Sequence, residues 1–121
     1  MSRQASTSAL HRFDAKLEHA KEAEIMSILD HVCDYYDADL DGVLSRSRLP
    51  RFIWPRHVSM AIAMAHGFTT TSIADAFGRE RTVVSYAKKS VLDQCDAYPK
   101  LDKEIRTLAK KIRENITKYE L

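Results

Sequence analysis

The sequence predicts an all-α fold, a helical bundle that carries a helix-turn-helix. Three observations predict it. Apolar residues recur every three or four positions along most of the chain, and no segment sustains the period-two alternation of a half-buried strand. Three glycines and three prolines in 121 residues leave few places where a helix must stop. Finally, residues 73–87 read IADAFGRERTVVSYA, a short helix, a glycine turn and a second helix opening on Arg-Thr.

Residues 2–8 are polar and are expected to be disordered. From Leu10 onward, Phe13, Leu17, Ala20, Ile25, Ile28, Leu29, Val32, Cys33 and Tyr36 trace one face of a long helix, or of two helices meeting near Ala23. Residues 37–42 end it, and 40–45 read as a short helical turn. Pro50 and Pro55 bracket a loop. Pro55 then suits the first turn of a helix over 55–66, with Val58, Ile62 and Ala65 inward and Gly67 closing it. Thr69, Thr70 or Thr71 caps a short helix ending at Phe77, and Gly78 makes the turn. The next helix starts near residues 79–81 and reaches Tyr98 through Val83, Val84, Ala87, Val91 and Leu92. Pro99 opens the last one, with Leu101, Ile105, Leu108, Ile112 and Ile116 at helical spacing. The chain divides into an N-terminal helical extension (1–24), a central domain (25–98) and a C-terminal helix (99–121).

Composition excludes several function classes. The 45% hydrophobic and 30% charged content is that of a soluble domain. The N-terminus lacks the apolar run of a secretory signal, and the longest apolar segment, 58–65, is too short to span a bilayer. A cytoplasmic protein with no membrane partner is expected. Cys33 and Cys95 read as two reduced thiols, and His11, His19, His31, His57 and His66 fall in no metal-ligand spacing. There is no GxSxG, no phosphate loop and no HExxH, so neither catalysis nor a cofactor is expected.

One motif points elsewhere. Asp37, Asp39, Asp41 and Gly42 match the first half of an EF-hand loop. The loop's last ligand position, however, holds Arg48 instead of glutamate, Arg46 adds a second positive charge, and Pro50 follows. The aspartates read better as an acidic turn that terminates a helix. A calcium-binding helical protein built on them is kept as an alternative.

Charge is strongly polarised. Residues 1–44 carry four basic and nine acidic side chains, residues 45–91 eight basic and two acidic, and residues 92–121 seven and six. A concentrated basic block suggests a polyanion-binding face. Arg46, Arg48, Arg51 and Arg56 fall within eleven residues, flanked by Phe52 and Trp54 as core anchors. Arginine suits phosphate because its fork donates two parallel hydrogen bonds and stays charged. Lys88 and Lys89 sit two turns along the candidate recognition helix, where they would meet a second run of phosphates.

Taken together, residues 25–91 resemble the C-terminal DNA-binding domain of the bacterial replication initiator DnaA. The matching pieces are Ile28, Val32 and Tyr35-Tyr36, then Leu44-Ser-Arg-Ser-Arg48, then Pro55-Arg56-His57 with Ala61, then Ile73-Ala-Asp-Ala-Phe77-Gly78, then Thr82-Val and Ala87. The resemblance implies an all-helical bundle whose helix-turn-helix reads double-stranded DNA. It places a minor-groove arginine on Arg48. The family's Pro-Arg-Gln phosphate motif falls on Pro55-Arg56-His57. The recognition helix, one glycine shorter than in the family, opens Arg79-Glu80-Arg81-Thr82-Val83. Glu80, Arg81, Thr82 and Val83 are therefore the expected base readers. Arg46, Arg48, Arg51, Arg56, His57, Arg79, Lys88 and Lys89 are expected on the DNA backbone or in the minor groove. The chain resembles a stand-alone copy of the domain without an ATPase module, and a role in regulating transcription or replication follows. A helical interaction module that has lost DNA binding is the alternative. Residues 1–24 and 99–118 either cover the bundle or serve a homodimer or protein partner.

Overall fold

Nothing before Gly42 obliges a helix to stop, and the first helix runs uninterrupted. The structure is a computed structural model that describes the backbone of residues 2–119 and the side chains of residues 17–116. Among the described residues there are six helices, α1 (Ser2–Tyr36), α2 (Leu40–Leu44), α3 (Pro50–Ala65), α4 (Thr70–Phe77), α5 (Arg81–Ala97) and α6 (Pro99–Tyr119). The expected disorder of residues 2–8 is replaced by helix, and of the two readings of the apolar stripe the single long helix is the one found, with no break near Ala23. The sequence holds no glycine or proline there to interrupt the backbone hydrogen bonds.

The acidic turn ends α1. Asp37 takes a left-handed conformation (φ 52°), the Asp37 N–H reaches Asp34 O at 3.3 Å, and the Ala38 N–H reaches Cys33 O at 2.8 Å. This is a Schellman closure, with aspartate where glycine is usual. Asp39 caps α2, its carboxylate accepting from the Gly42 N–H at 3.1 Å. Two of the three EF-hand-like aspartates thus serve chain reversal and capping. No metal-binding group of three or more such side chains occurs among the described residues.

Helix α3 begins five residues earlier than the sequence suggests. Pro50 occupies its first position, where no N–H is needed, and the N–H groups of Phe52 and Ile53 reach Leu49 O at 2.9 and 3.0 Å. Pro55 lies inside the helix, where its missing N–H removes only the bond to Arg51 O, one turn back. The early start lays the Phe52 ring on Gly42. A Cβ at Gly42 would lie 2.2 Å from a Phe52 ring carbon, so only glycine fits there. Phe52 and Trp54 both pack against the core, as core anchors should.

Helix α3 touches all five other helices and forms the centre of the bundle. Ile28, Leu29 and Val32 of α1, Val58 and Ile62 of α3, Ile73 of α4 and Val84 of α5 are essentially sealed from solvent. Ala65 and Leu92, expected inward, face solvent, because the inward stripes run through Ile62 and Ala63 on α3 and through Ala87, Val91 and Cys95 on α5. Leu17 is also exposed. Helix α6 contributes Ile105, Leu108 and Ile112 to the core. Two polar ties add to this: the Tyr35 hydroxyl donates to Glu104 at 2.6 Å, and His66 Nε2 donates to Ala109 O at 3.0 Å. Helix α6 therefore covers the bundle. Cys33 and Cys95 are both buried free thiols. Burial, helped by Asp30 and Asp34, pushes the Cys33 thiol up to about 11. Burial also raises Cys95, which feels Asp102 and Arg106 of α6. No helix among the described residues is long and apolar enough to cross a membrane.

Candidate nucleic-acid interface

Short-range signals set the helix-turn-helix. Thr69 caps α4, its hydroxyl accepting from the Ser72 N–H at 3.1 Å, and Ile73, Ala74 and Phe77 bury the inner face. Gly78 then turns the chain at φ 64°, with the Arg79 N–H bonded to Ala74 O at 2.9 Å. A side chain at this φ would be strained. Helix α5 follows with Glu80 as an N-cap whose carboxylate makes no capping bond. The Val83 N–H reaches Glu80 O at 3.1 Å, which leaves the Arg81 and Thr82 N–H groups without an intrahelical or side-chain acceptor at the end where an anion is favoured.

Helical phase sorts the α5 side chains. Val84, Ala87 and Val91 are buried, while Arg81, Thr82, Ser85, Tyr86, Lys88 and Lys89 are exposed. Val83, an expected base reader, is instead half-buried against the core, because it lies one turn before Ala87 on the same side. Ser85 and Tyr86, three and four residues after Thr82, share its face. Sequence reasoning missed both, although counting one turn on from Thr82 would have found them.

Beside this helix lies the basic loop, residues 45–49. It buries no side chain, and a chain of small hydrogen bonds shapes it. The Ser45 hydroxyl donates to Gly42 O at 2.6 Å and accepts from the Ser47 N–H at 3.1 Å, and the Ser47 hydroxyl accepts from the Leu49 N–H at 3.3 Å. Arg46 and Arg48 stand exposed on it, with no ion pair among the described residues.

Arg56, expected on a phosphate, faces into the protein. Only 7% exposed, it donates from Nε to Val43 O at 2.7 Å and from Nη2 to Ser45 O at 2.9 Å and Ser47 O at 3.1 Å. Arg79 Nη2 donates to the same Ser45 carbonyl. One acceptor thus ties the basic loop to the helix-turn-helix turn. Desolvation, and then the nearby Arg79 charge, lower the Arg56 pKa. The hub role of Ser45 left no mark in the sequence, since it rests on a backbone oxygen.

These features coincide with a known family. The family model described as bacterial dnaA protein helix-turn-helix matches residues 25–91, more than half of the chain. The chain belongs to that family.

Similar proteins agree with this. The chromosomal replication initiator protein DnaA of Treponema denticola is 30% identical over 89 residues, covering 72% of this chain and 19% of that protein. The DnaA of Thermoanaerobacter sp. is 27% identical over 94 residues, covering 77% and 21%. The chain therefore spans about a fifth of the length of these curated relatives. A solved structure titled as the crystal structure of DNA replication initiation factor superposes with a TM-score of 0.78 at 23% identity. It covers 95% of this chain and 36% of that one, so the likeness of fold extends beyond residues 25–91.

The remaining expected site residues of this DnaA-family domain take distinct places. Glu80 and Arg81 are exposed at the α5 N-terminus. His57 is half-buried with its ring edge-on to Tyr86, centroids 5.8 Å apart. Desolvation and then Arg56 hold its pKa below the ordinary 6.5, which favours the neutral ring. Arg51 is exposed at the start of α3, its guanidinium 4.8 Å from the Phe52 ring centre.

Proposed function

We propose that this protein binds double-stranded DNA with a sequence preference and regulates replication or transcription from that position. The observation that carries the reading is the shared Ser45 carbonyl, which holds the basic loop and the start of α5 in one frame. Helix α5 enters the major groove, with Arg81, Thr82 and Glu80 toward base edges and Ser85 and Tyr86 beside them. Arg48 and Arg46 approach from the loop, one toward the minor groove. Lys88 and Lys89 meet phosphates further along, and the open N–H groups of α5 favour another. Arg56 sets the loop from within. The working environment is the cytoplasm, where the DNA is.

Selection of bound sites from a random duplex library tests binding and preference together. Contact with about five phosphates gives a log–log salt slope near −5. No binding at about 50 mM salt would leave the fold as an interaction module and refute the proposal. For specificity, Arg81→Ala is expected to cost about 1–3 kcal/mol on the best site and much less on random DNA. Equal loss on both would make Arg81 a phosphate ligand.

A further inference from the structure

The end of α1 and the start of α3 flank an open cavity of about 650 Å³. Its walls are aromatic: Tyr36, Phe52 and Trp54, with the Trp54 Nε1–H donating to the Tyr36 hydroxyl at 3.2 Å. Asp37 and Asp39 stand at its rim. Along α1, Asp30 and Asp34 precede Asp37 at one-turn spacing, and all three are exposed and without an ion pair among the described residues. The Asp39 carboxylate is already held by the Gly42 N–H and Arg51 also lines the cavity, so the attraction for a cation rests on Asp37 and the aromatic faces. Flatness further favours the planar, weakly hydrated guanidinium over the compact ammonium. Arg51 itself lines the cavity and lies over the Phe52 ring, so that face already holds a guanidinium.

We infer that this cavity receives an arginine side chain from a protein partner. Such a partner docks beside the basic loop, because Pro50 and Arg51 line the cavity directly after that loop ends. It leaves the α5 surface free for DNA.

Trp54 is the only tryptophan in the chain and reports directly from the wall. The test is a titration of the full chain with a short glycine–arginine peptide, followed by Trp54 emission. A saturable change that weakens with salt is expected, and a glycine–glutamate peptide should give none. Asp37→Asn keeps a residue that tolerates the left-handed turn and should raise the midpoint about threefold to tenfold. Asp30→Asn removes the same charge further along α1 and should shift it less than about twofold. Equal shifts in the two variants mean diffuse attraction and overturn the proposal. So do a missing response, a response to adenosine in place of the peptide, or self-association of the chain through this face. If Asp37→Asn melts early, amide shifts in an NMR titration of the unaltered chain decide the matter. Shifts confined to residues 36–39 and 50–55 sustain the site, and shifts spread along α1 refute it.

Discussion

The basic loop and the first turn of α5 are neighbours joined at one carbonyl oxygen, yet different forces hold them. Helix α5 is fixed by burial, with Val84, Ala87 and Val91 locked into the common core. Residues 45–49 bury no side chain, and their shape depends on two guanidiniums and two serine hydroxyls. The helix therefore keeps its shape as long as the domain is folded. The loop can lose its shape inside a folded domain. Arginine in a basic segment is accordingly two kinds of residue: Arg46 and Arg48 face outward, while Arg56 does for the loop what apolar burial does for the helix.

The largest expected effect tests the helix side of this contrast. Ile73→Ala empties a sealed site beneath the helix-turn-helix and should cost about 2–5 kcal/mol in denaturant unfolding. The fraction that remains folded should bind duplex DNA within about twofold of the unaltered chain. A larger loss would mean that core packing also sets the reading surface.

Arg56→Ala tests the loop side. Leaving the Val43 and Ser47 carbonyls without their donor, and Ser45 O with Arg79 alone, should cost about 1–3 kcal/mol. Unlike Ile73→Ala, it should also weaken DNA binding by the folded protein and speed amide exchange at Ser47 and Leu49, with α5 amides unchanged. Arg56→Lys should fail to rescue it, since one ammonium cannot reproduce the fork that reaches three carbonyls. Faster exchange throughout α5 would break the contrast.

The smallest effect concerns two half-buried histidines, His57 beside Tyr86 of α5 and His66 at the end of α3. Burial, the leading cause in each, holds the pKa of His57 and His66 below 6.5. A depressed folded value means the stabilisation is complete above the unfolded pKa and is lost as pH falls through the folded one. The melting temperature should decline as pH drops below about 6.5, and His57→Gln and His66→Gln should each flatten that decline. An unchanged slope in both variants would assign the decline to carboxylates.

The legible parts of the fold were those written in short-range chemistry. Thr69, Gly78 and Pro99 mark their helix ends, and the apolar spacing in α1, α5 and α6 marks their inner faces. Asp37 at positive φ and Pro55 inside a helix were not legible as such, because each departs from its residue's usual habit in a way only the packing explains. The site divides likewise. Exposure of Arg46, Arg48, Arg81 and Thr82 follows from loop position and helical phase. Burial of Arg56 does not, since its acceptors lie nine to thirteen residues earlier and are brought to it by the chain reversal through α2. The half-burial of Val83 follows from its helical phase, which its place in the resemblance does not reflect.

The two buried thiols give the molecule an internal clock. Cys95 is 7% exposed beneath α6, and Cys33 is 5% exposed within the bundle. A reagent that consumes thiolate must wait for the protein to uncover each sulfur. Cys95 therefore records how often α6 lifts away, and Cys33 how often the last turn of α1 opens. The difference between the two labelling rates measures how independently the last helix breathes from the first.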